Sequence, residues 1–151
     1  MSENQKTPQV RIRAATESDV NFIFNSWLKC YRHSINMRGC ENPVYFAQQH
    51  KVLEGLCKKA SVLIACNSLD ISQIFGYSVA EKVDDCMVAH FVYVKDSFRR
   101  FGIATQLMEA QGWKKGEPMF YTHKTNVTDK LAEKHTMVYN PFLAYYAYGL
   151  A

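Results

Sequence analysis

One stretch of this sequence could bind a phosphate group through its backbone. Residues 92–108 begin as an extended apolar run, pass through a short basic turn and continue with the pattern of a helix. The turn reads Arg99-x-x-Gly102-x-Ala104, with a second arginine at Arg100. A strand that enters a helix through a glycine-containing turn leaves several N–H groups without intrahelical acceptors, at the positive end of the helix dipole. We therefore predict an anion site here, suited to phosphate.

The segments around this turn must position it, and their patterns alternate between strand and helix. Period-two alternation and short apolar runs predict strands, whereas apolar residues three and four apart predict helices. Thr16 suits the N-cap of a first helix, and Pro43 suits the first turn of a second. The predicted strands are residues 10–14, 61–66, 73–81, 86–94 (the longest) and 118–123, with an extended segment at 138–148; the predicted helices are 17–33, 43–59, 102–112 and 128–135, the last starting at Thr128 or Asp129.

The order β-α-α-β-β-β-α-β-α-β predicts how these elements pair. Consecutive strands in the middle favour hairpins, the first of them with a loop of about four or more residues. The strand–helix–strand unit over residues 86–123 favours a parallel crossover. The predicted fold class is α/β (α+β), with a mixed, mostly antiparallel central sheet and helices on both faces.

Composition favours one globular domain. The 151 residues are 48% hydrophobic, enough for a core, and we expect a flexible tail over 1–9 and a single domain over 10–151. A net charge of +4 fits a phosphate ligand or weak nucleic-acid contact but requires neither. The five cysteines form no CxxC pair and the histidines lack metal-ligand spacing, so we expect no disulfide framework and no metal. Without an apolar signal segment or membrane-spanning run, we expect a cytoplasmic location.

The element order, with Arg99-x-x-Gly102-x-Ala104 at the strand-to-helix turn, resembles the GCN5-related N-acetyltransferase (GNAT) family. The family signature at that turn is [Gln/Arg]-x-x-Gly-x-[Gly/Ala], placed after a β-hairpin and a long strand. The acidic residues Glu17 and Asp19 at the start of the first helix are also similar to the family's opening. The resemblance covers roughly residues 10–140.

The resemblance implies acetyl-CoA as co-substrate. The N–H groups of the turn would hold its pyrophosphate, with added charge from the two arginines. The preceding strand would pair with the pantetheine arm, which Asn126 would also contact. The implied cofactor-binding residues are Phe91, Val92, Tyr93, Val94, Arg99, Arg100, Phe101, Gly102, Ile103, Ala104, Thr105 and Asn126.

The resemblance also implies a base for the attacking amine and an acid for the departing thiolate. His90 is one candidate base, because neutral imidazole is available near pH 7; Glu81 is the other. Either residue could instead be structural, His90 as a half-buried strand residue and Glu81 as a solvated strand-end carboxylate. The tyrosine that often serves as acid in the family is replaced here by Ala132. Tyr121 or Tyr139 could replace it, the thiolate could leave unassisted, or acetyl transfer could be absent.

We therefore expect an acetyl-CoA-dependent N-acetyltransferase that acts on an amine of a small molecule or protein. The alternative is a catalytically weak or inactive GNAT-like module that works through a protein partner. Nucleic-acid binding through basic residues such as Lys114 and Lys115 is not favoured, since stacking aromatics do not alternate with them. An aromatic cluster at Phe142, Tyr145, Tyr146 and Tyr148 favours a covered C-terminal strand and leaves a homodimer possible.

Overall fold

The computed structural model describes residues 7–144, in which six strands and four α-helices follow the predicted order. The strands are β1 Val10–Ala14, β2 Ser61–Asn67, β3 Asp70–Val83, β4 Cys86–Val94, β5 Met119–Tyr121 and β6 Met137–Tyr139. The helices are α1 Val20–Arg32, α2 Asn42–Lys59, α3 Ile103–Ala110 and α4 Asn126–Lys134. A 3₁₀ turn at Glu17–Asp19 leads into α1, and the backbone N–H of Thr16 donates to Asp19 Oδ2 at 2.8 Å in the expected capping box.

The six strands lie in the sheet in chain order, β1 to β6. The β1–β2, β2–β3 and β3–β4 pairs are antiparallel, whereas β4–β5 and β5–β6 are parallel. The crossover between β4 and β5 passes through α3, as the sequence predicts. The prediction of a mixed, mostly antiparallel sheet is confirmed.

The helices cover both faces of the sheet, which is also as predicted. On one face α1 and α2 bury a cluster that includes Trp27 and Leu53 against Tyr77 and Phe91 of the strands. The Trp27 and Phe91 rings stack with centroids 4.4 Å apart. On the other face, α3 and α4 pack two smaller clusters against the same strands. Each large apolar side chain buried in this way contributes roughly 1.5 to 3 kcal/mol to folding.

Four local predictions are wrong. β3, with 14 residues, is longer than β4, with 9. The β2–β3 turn is tighter than predicted, because Asn67 pairs directly with Asp70. α4 begins at Asn126, two residues early, because the backbone N–H of Thr125 donates to Thr128 Oγ1 at 2.8 Å in a capping box. Residues 142–144 are helical rather than extended, since the preceding proline has a backbone angle that suits a helix start.

The sequence also predicts a structure for each end of the chain. Gln9, within the expected tail, accepts a hydrogen bond on its carbonyl from the Ser68 N–H at 2.9 Å. Tyr145, Tyr146 and Tyr148 of the expected aromatic strand lie outside the described residues. None of the helices within residues 7–144 has the length and apolar character needed to cross a membrane.

Candidate functional site

The turn between β4 and α3 has an unusual backbone. Gly102 is the N-cap of α3 in the left-handed region with φ of 74°, and Arg100 also has φ of 74°. A non-glycine residue in that region costs about 1 to 2 kcal/mol, so the surrounding structure must hold it there. The first helical hydrogen bond runs from the Gln106 N–H to the Gly102 carbonyl at 3.0 Å. The N–H groups of residues 103–105 therefore have no intrahelical acceptor, an arrangement that favours a bound anion, and we call them the anion cradle.

A cavity of about 1090 Å³ lies between this turn and α4. It collects nine of the twelve residues predicted to bind the cofactor: Val94, Arg99, Arg100, Phe101, Gly102, Ile103, Ala104, Thr105 and Asn126. Asn126 reaches it as the first residue of α4. Lys130 and Lys134 of α4 also line it, two cations that the sequence reasoning missed although their spacing places them on one helix face. The cavity therefore combines backbone donors with positive charge.

The two arginines of the turn have different surroundings. Arg99 is held by the protein, because its Nε donates to the Val94 carbonyl at 3.0 Å and its guanidinium lies 3.3 Å from Asp96. Arg100 is exposed and forms no hydrogen bond or ion pair within residues 7–144. Arg99 therefore supports the turn, and Arg100 is the cation free to meet a ligand.

Phe91, Val92 and Tyr93, the other three predicted cofactor residues, lie on β4 beside the cavity rather than in its lining. β4 pairs with β3 up to Val94, but the register with β5 ends at Ala89. Beyond that point, within the part of the chain that is described, residues 91–94 pair on one side only. A wedge thus opens between β4 and β5 toward the cavity, with a free strand edge of the kind to which an extended amide chain can pair.

His90 lies where the two strands separate. Val79 pairs with Phe91 and Ala80 with Ala89, so His90 is the extra residue of a β-bulge. It is fully buried, and its Nε2 lies 2.7 Å from Glu81 Oε2. This hydrogen bond lowers the pKa of Glu81 below its ordinary value against the opposing effect of burial. The structure therefore brings the two alternative bases into contact.

The contact continues inward as a chain of buried polar side chains. His90 Nδ1 is 3.1 Å from Thr122 Oγ1, which is 2.9 Å from His123 Nδ1. His123 Nε2 is 2.9 Å from the side-chain nitrogen of Gln49 on α2. Burial lowers the pKa of His123 to about 3. We call these five side chains, from Glu81 to Gln49, the buried array.

Sequence reasoning missed three members of the buried array: Thr122, His123 and Gln49. A signal was present for Gln49, because the other buried residues of α2 are Tyr45, Leu53 and Leu56. A polar residue on an otherwise apolar helix face requires a buried partner. The identity of that partner depends on how α2 packs against the sheet, which the sequence pattern does not specify.

The candidate acids Tyr121 and Tyr139 are neighbours across β5 and β6, with ring centroids 5.4 Å apart. Tyr121 is buried, and the Tyr139 hydroxyl oxygen accepts a hydrogen bond from Asn36 Nδ2 at 2.5 Å. Both rings belong to the cluster beneath α4, the helix that carries the half-buried Ala132. Among the described residues, no three or more His, Cys, Asp or Glu side chains could together hold a metal ion.

Comparison with known proteins identifies the fold. Neither a protein-family model nor a curated protein matches the sequence. Among solved structures, a Pyrococcus furiosus protein designated an acetyl transferase is similar with a TM-score of 0.50 and 16% identity, over 91% of this chain and 89% of that one. A protein from Staphylococcus aureus subsp. aureus, designated a GNAT family acetyltransferase, is similar with a TM-score of 0.50 and 18% identity, over 66% and 85% respectively. The chain therefore has the fold of the GCN5-related N-acetyltransferases.

Proposed function

We propose that this protein is an acetyl-CoA-dependent N-acetyltransferase that moves an acetyl group to an amine of a small molecule or protein. The observation that carries this proposal is the meeting of an anion cradle and an unpaired strand edge at one cavity. Acetyl-CoA has a pyrophosphate for the first and an amide-containing arm for the second. The fold shared with the two acetyltransferases supports the same conclusion.

The residues divide the binding as follows. The N–H groups from Phe101 to Thr105 hold the pyrophosphate, and Arg100 supplies charge beside them. Lys130 and Lys134 add charge from α4. Backbone groups of residues 91–94 pair with the pantetheine arm, and Asn126 contacts the same arm. Because most of these donors belong to the backbone, the site recognises the ligand by its shape and charge and does not depend on any one side chain of the protein.

The chemistry needs a proton acceptor for the amine and a proton donor for the sulfur. The Glu81–His90 pair, at the vertex of the wedge, serves as acceptor. Tyr121 or Tyr139 serves as donor, or the thiolate leaves unassisted, since a thiol has an ordinary pKa of about 8.5. Ala132 at the usual donor position favours a second candidate function, a catalytically weak or inactive GNAT-like module that acts through a protein partner.

Thermal unfolding with acetyl-CoA tests the binding part of the proposal. Ligand at 100 times Kd should raise the free energy of unfolding by about 2.7 kcal/mol. Arg100→Ala should weaken this effect, whereas the matched control Arg38→Ala, exposed in the α1–α2 connection, should not. No stabilisation at millimolar acetyl-CoA would contradict the proposal. Thiol release over a panel of amines then separates the enzyme from the inactive module.

A further inference from the structure

We propose that Glu81 alone takes the proton of the attacking amine, while the four side chains behind it act as positioning residues. These four are His90, Thr122, His123 and Gln49. This assignment rests on the proposed function and settles its shared Glu81–His90 acceptor in favour of the carboxylate. It also means that the hydrogen bonds of the buried array all donate in one direction, from the Gln49 amide outward to Glu81.

The direction of hydrogen-bond donation is set at the inner end of the array, at Gln49. The Gln49 side-chain nitrogen carries only donors, so His123 Nε2 must accept from it. His123 is buried and its pKa is lowered to about 3, so the ring is neutral and carries one N–H. That proton must then lie on Nδ1, which donates to Thr122 Oγ1 at 2.9 Å.

The Thr122 hydroxyl group continues the same direction of hydrogen-bond donation toward His90. With one lone pair occupied by His123, its hydroxyl proton has two acceptors in reach, His90 Nδ1 at 3.1 Å and the His90 carbonyl at 3.3 Å. The shorter contact leaves His90 Nδ1 as an acceptor. His90 Nε2 then carries the N–H and donates to Glu81 Oε2 at 2.7 Å.

The outer end of the array, at Glu81, independently gives the same direction of hydrogen-bond donation. The lowered pKa of Glu81 makes it a carboxylate, which only accepts, so the 2.7 Å contact requires a proton on His90 Nε2. The remaining lone pair of His90 faces Thr122 in the protein interior and cannot meet an amine. Glu81 Oε1, by contrast, has no hydrogen-bond partner within residues 7–144, and the Glu81 side chain is 14% exposed. Glu81 is therefore the member of the array that a substrate can reach.

With Glu81 as the proton acceptor, acetyl transfer consists of one bond formed, one bond broken and two proton movements. The amine nitrogen forms a bond to the thioester carbonyl carbon, the C–S bond breaks, and its electron pair leaves on sulfur. The N–H proton moves to Glu81, and the sulfur takes a proton from a tyrosine or from solvent. Lys59, the other charged group that acts on Glu81, favours its carboxylate form and stays outside this transfer.

NMR of the histidine rings in ¹⁵N-labelled protein tests the direction without needing activity. We expect opposite tautomers in the wild type, with the proton on Nε2 of His90 and on Nδ1 of His123. Gln49→Glu replaces the donor with an acceptor and should move the His123 proton to Nε2. The control Gln48→Glu adds the same charge at an exposed neighbouring position and should leave both rings unchanged.

If Gln49→Glu does not fold, Gln49→Met removes the donor at similar size, and the His123 Nε2 signal should still shift while that of the exposed His50 stays. An unprotonated His90 Nε2, or a His123 signal unchanged in either Gln49 variant, overturns the proposed array. Failure to bind acetyl-CoA overturns the proposed function instead and leaves the tautomer result valid. The two ideas therefore fail in different experiments.

Discussion

The anion cradle and the buried array are built in opposite ways. The cradle uses backbone N–H groups from contiguous residues, 103–105, beside an open cavity. The array uses side chains from α2, β3, β4 and the segment after β5, and four of its five members are buried. The proposed ligand binding thus depends mainly on local backbone geometry, and the proposed proton transfer depends on tertiary packing.

The two regions also differ in what a substitution should change. Backbone donors survive most side-chain replacements, so the cradle should fail only when its conformation changes. In the array four of the five side chains are buried, and removing one partner there leaves another polar group unsatisfied at a cost of about 1 to 3 kcal/mol. Array substitutions should therefore affect stability and chemistry together, and cradle substitutions should affect binding.

The largest expected effect is the loss of turnover in Glu81→Gln. Glutamine keeps an oxygen that can accept from His90 Nε2 but cannot take the amine proton, so the rate of thiol release should fall by about 10² to 10⁴-fold. The Kd for acetyl-CoA should stay within about twofold, because Glu81 lies outside the cavity lining. Parallel rate and titration measurements check both parts. A rate within about threefold of the wild type would remove Glu81 from the chemistry.

The same contrast explains how much of the molecule was predictable from its sequence. The element order, the sheet type and the cradle follow from local patterns, because strands, helix starts and glycine turns depend on neighbouring residues. Even the wrong start of α4 had a local signal, the Thr125–Thr128 capping box. The β3–β4 hairpin was also predictable, since Asp84 and Asp85 tolerate the positive φ of its turn.

Only two of the five members of the array were predictable from the sequence, and the reason is physical. Glu81 and His90 were candidates because of their chemistry, but their contact depends on the bulge at His90, which shifts the register by one residue. The other members depend on strand ends and helix packing. β5 stops at Tyr121. The Thr122 N–H still donates to the Ala89 carbonyl of β4 at 3.2 Å, whereas the His123 side chain contacts Gln49 of α2. Sequence periodicity carries no information on such encounters between distant segments.

A smaller but cleaner effect should appear in the pH dependence of folding. The folded-state pKa of His123, about 3, lies below the ordinary value of about 6.5, so between these values the unfolded chain binds a proton that the folded chain does not. The contribution of His123 to the free energy of unfolding should therefore be fully present above pH 6.5. It should fall as the pH is lowered, by up to about 1.4 kcal/mol per pH unit. Between about pH 6 and 5 most carboxylates stay ionised, which leaves the histidines as the changing groups.

Denaturant titrations of His123→Gln and His50→Gln at several pH values isolate this contribution. His123 faces two titratable groups, His90 from β4 and Tyr31 from α1, and both remain in the two variants. His123→Gln should lose part of the slope, whereas the exposed His50→Gln should keep it. Equal slopes in the two variants would show that burial of His123 does not set the acid sensitivity.

The smallest of the three effects tests the cradle through its backbone alone. Gly102 has φ of 74° and no atom within 4 Å of where a Cβ would lie, so Gly102→Val adds conformational strain without a clash at its Cβ. A strain of about 1 to 2 kcal/mol should either weaken acetyl-CoA binding about 5- to 30-fold, as the turn relaxes and its N–H groups diverge, or lower stability by that amount.

Gly39→Val is the matched control, because Gly39 has equally open surroundings and no positive φ. Isothermal titration and denaturant unfolding separate the two outcomes, and neither should change the tautomers of the buried array. If Gly102→Val bound acetyl-CoA as tightly as Gly39→Val and was equally stable, the left-handed turn would not be what forms the cradle.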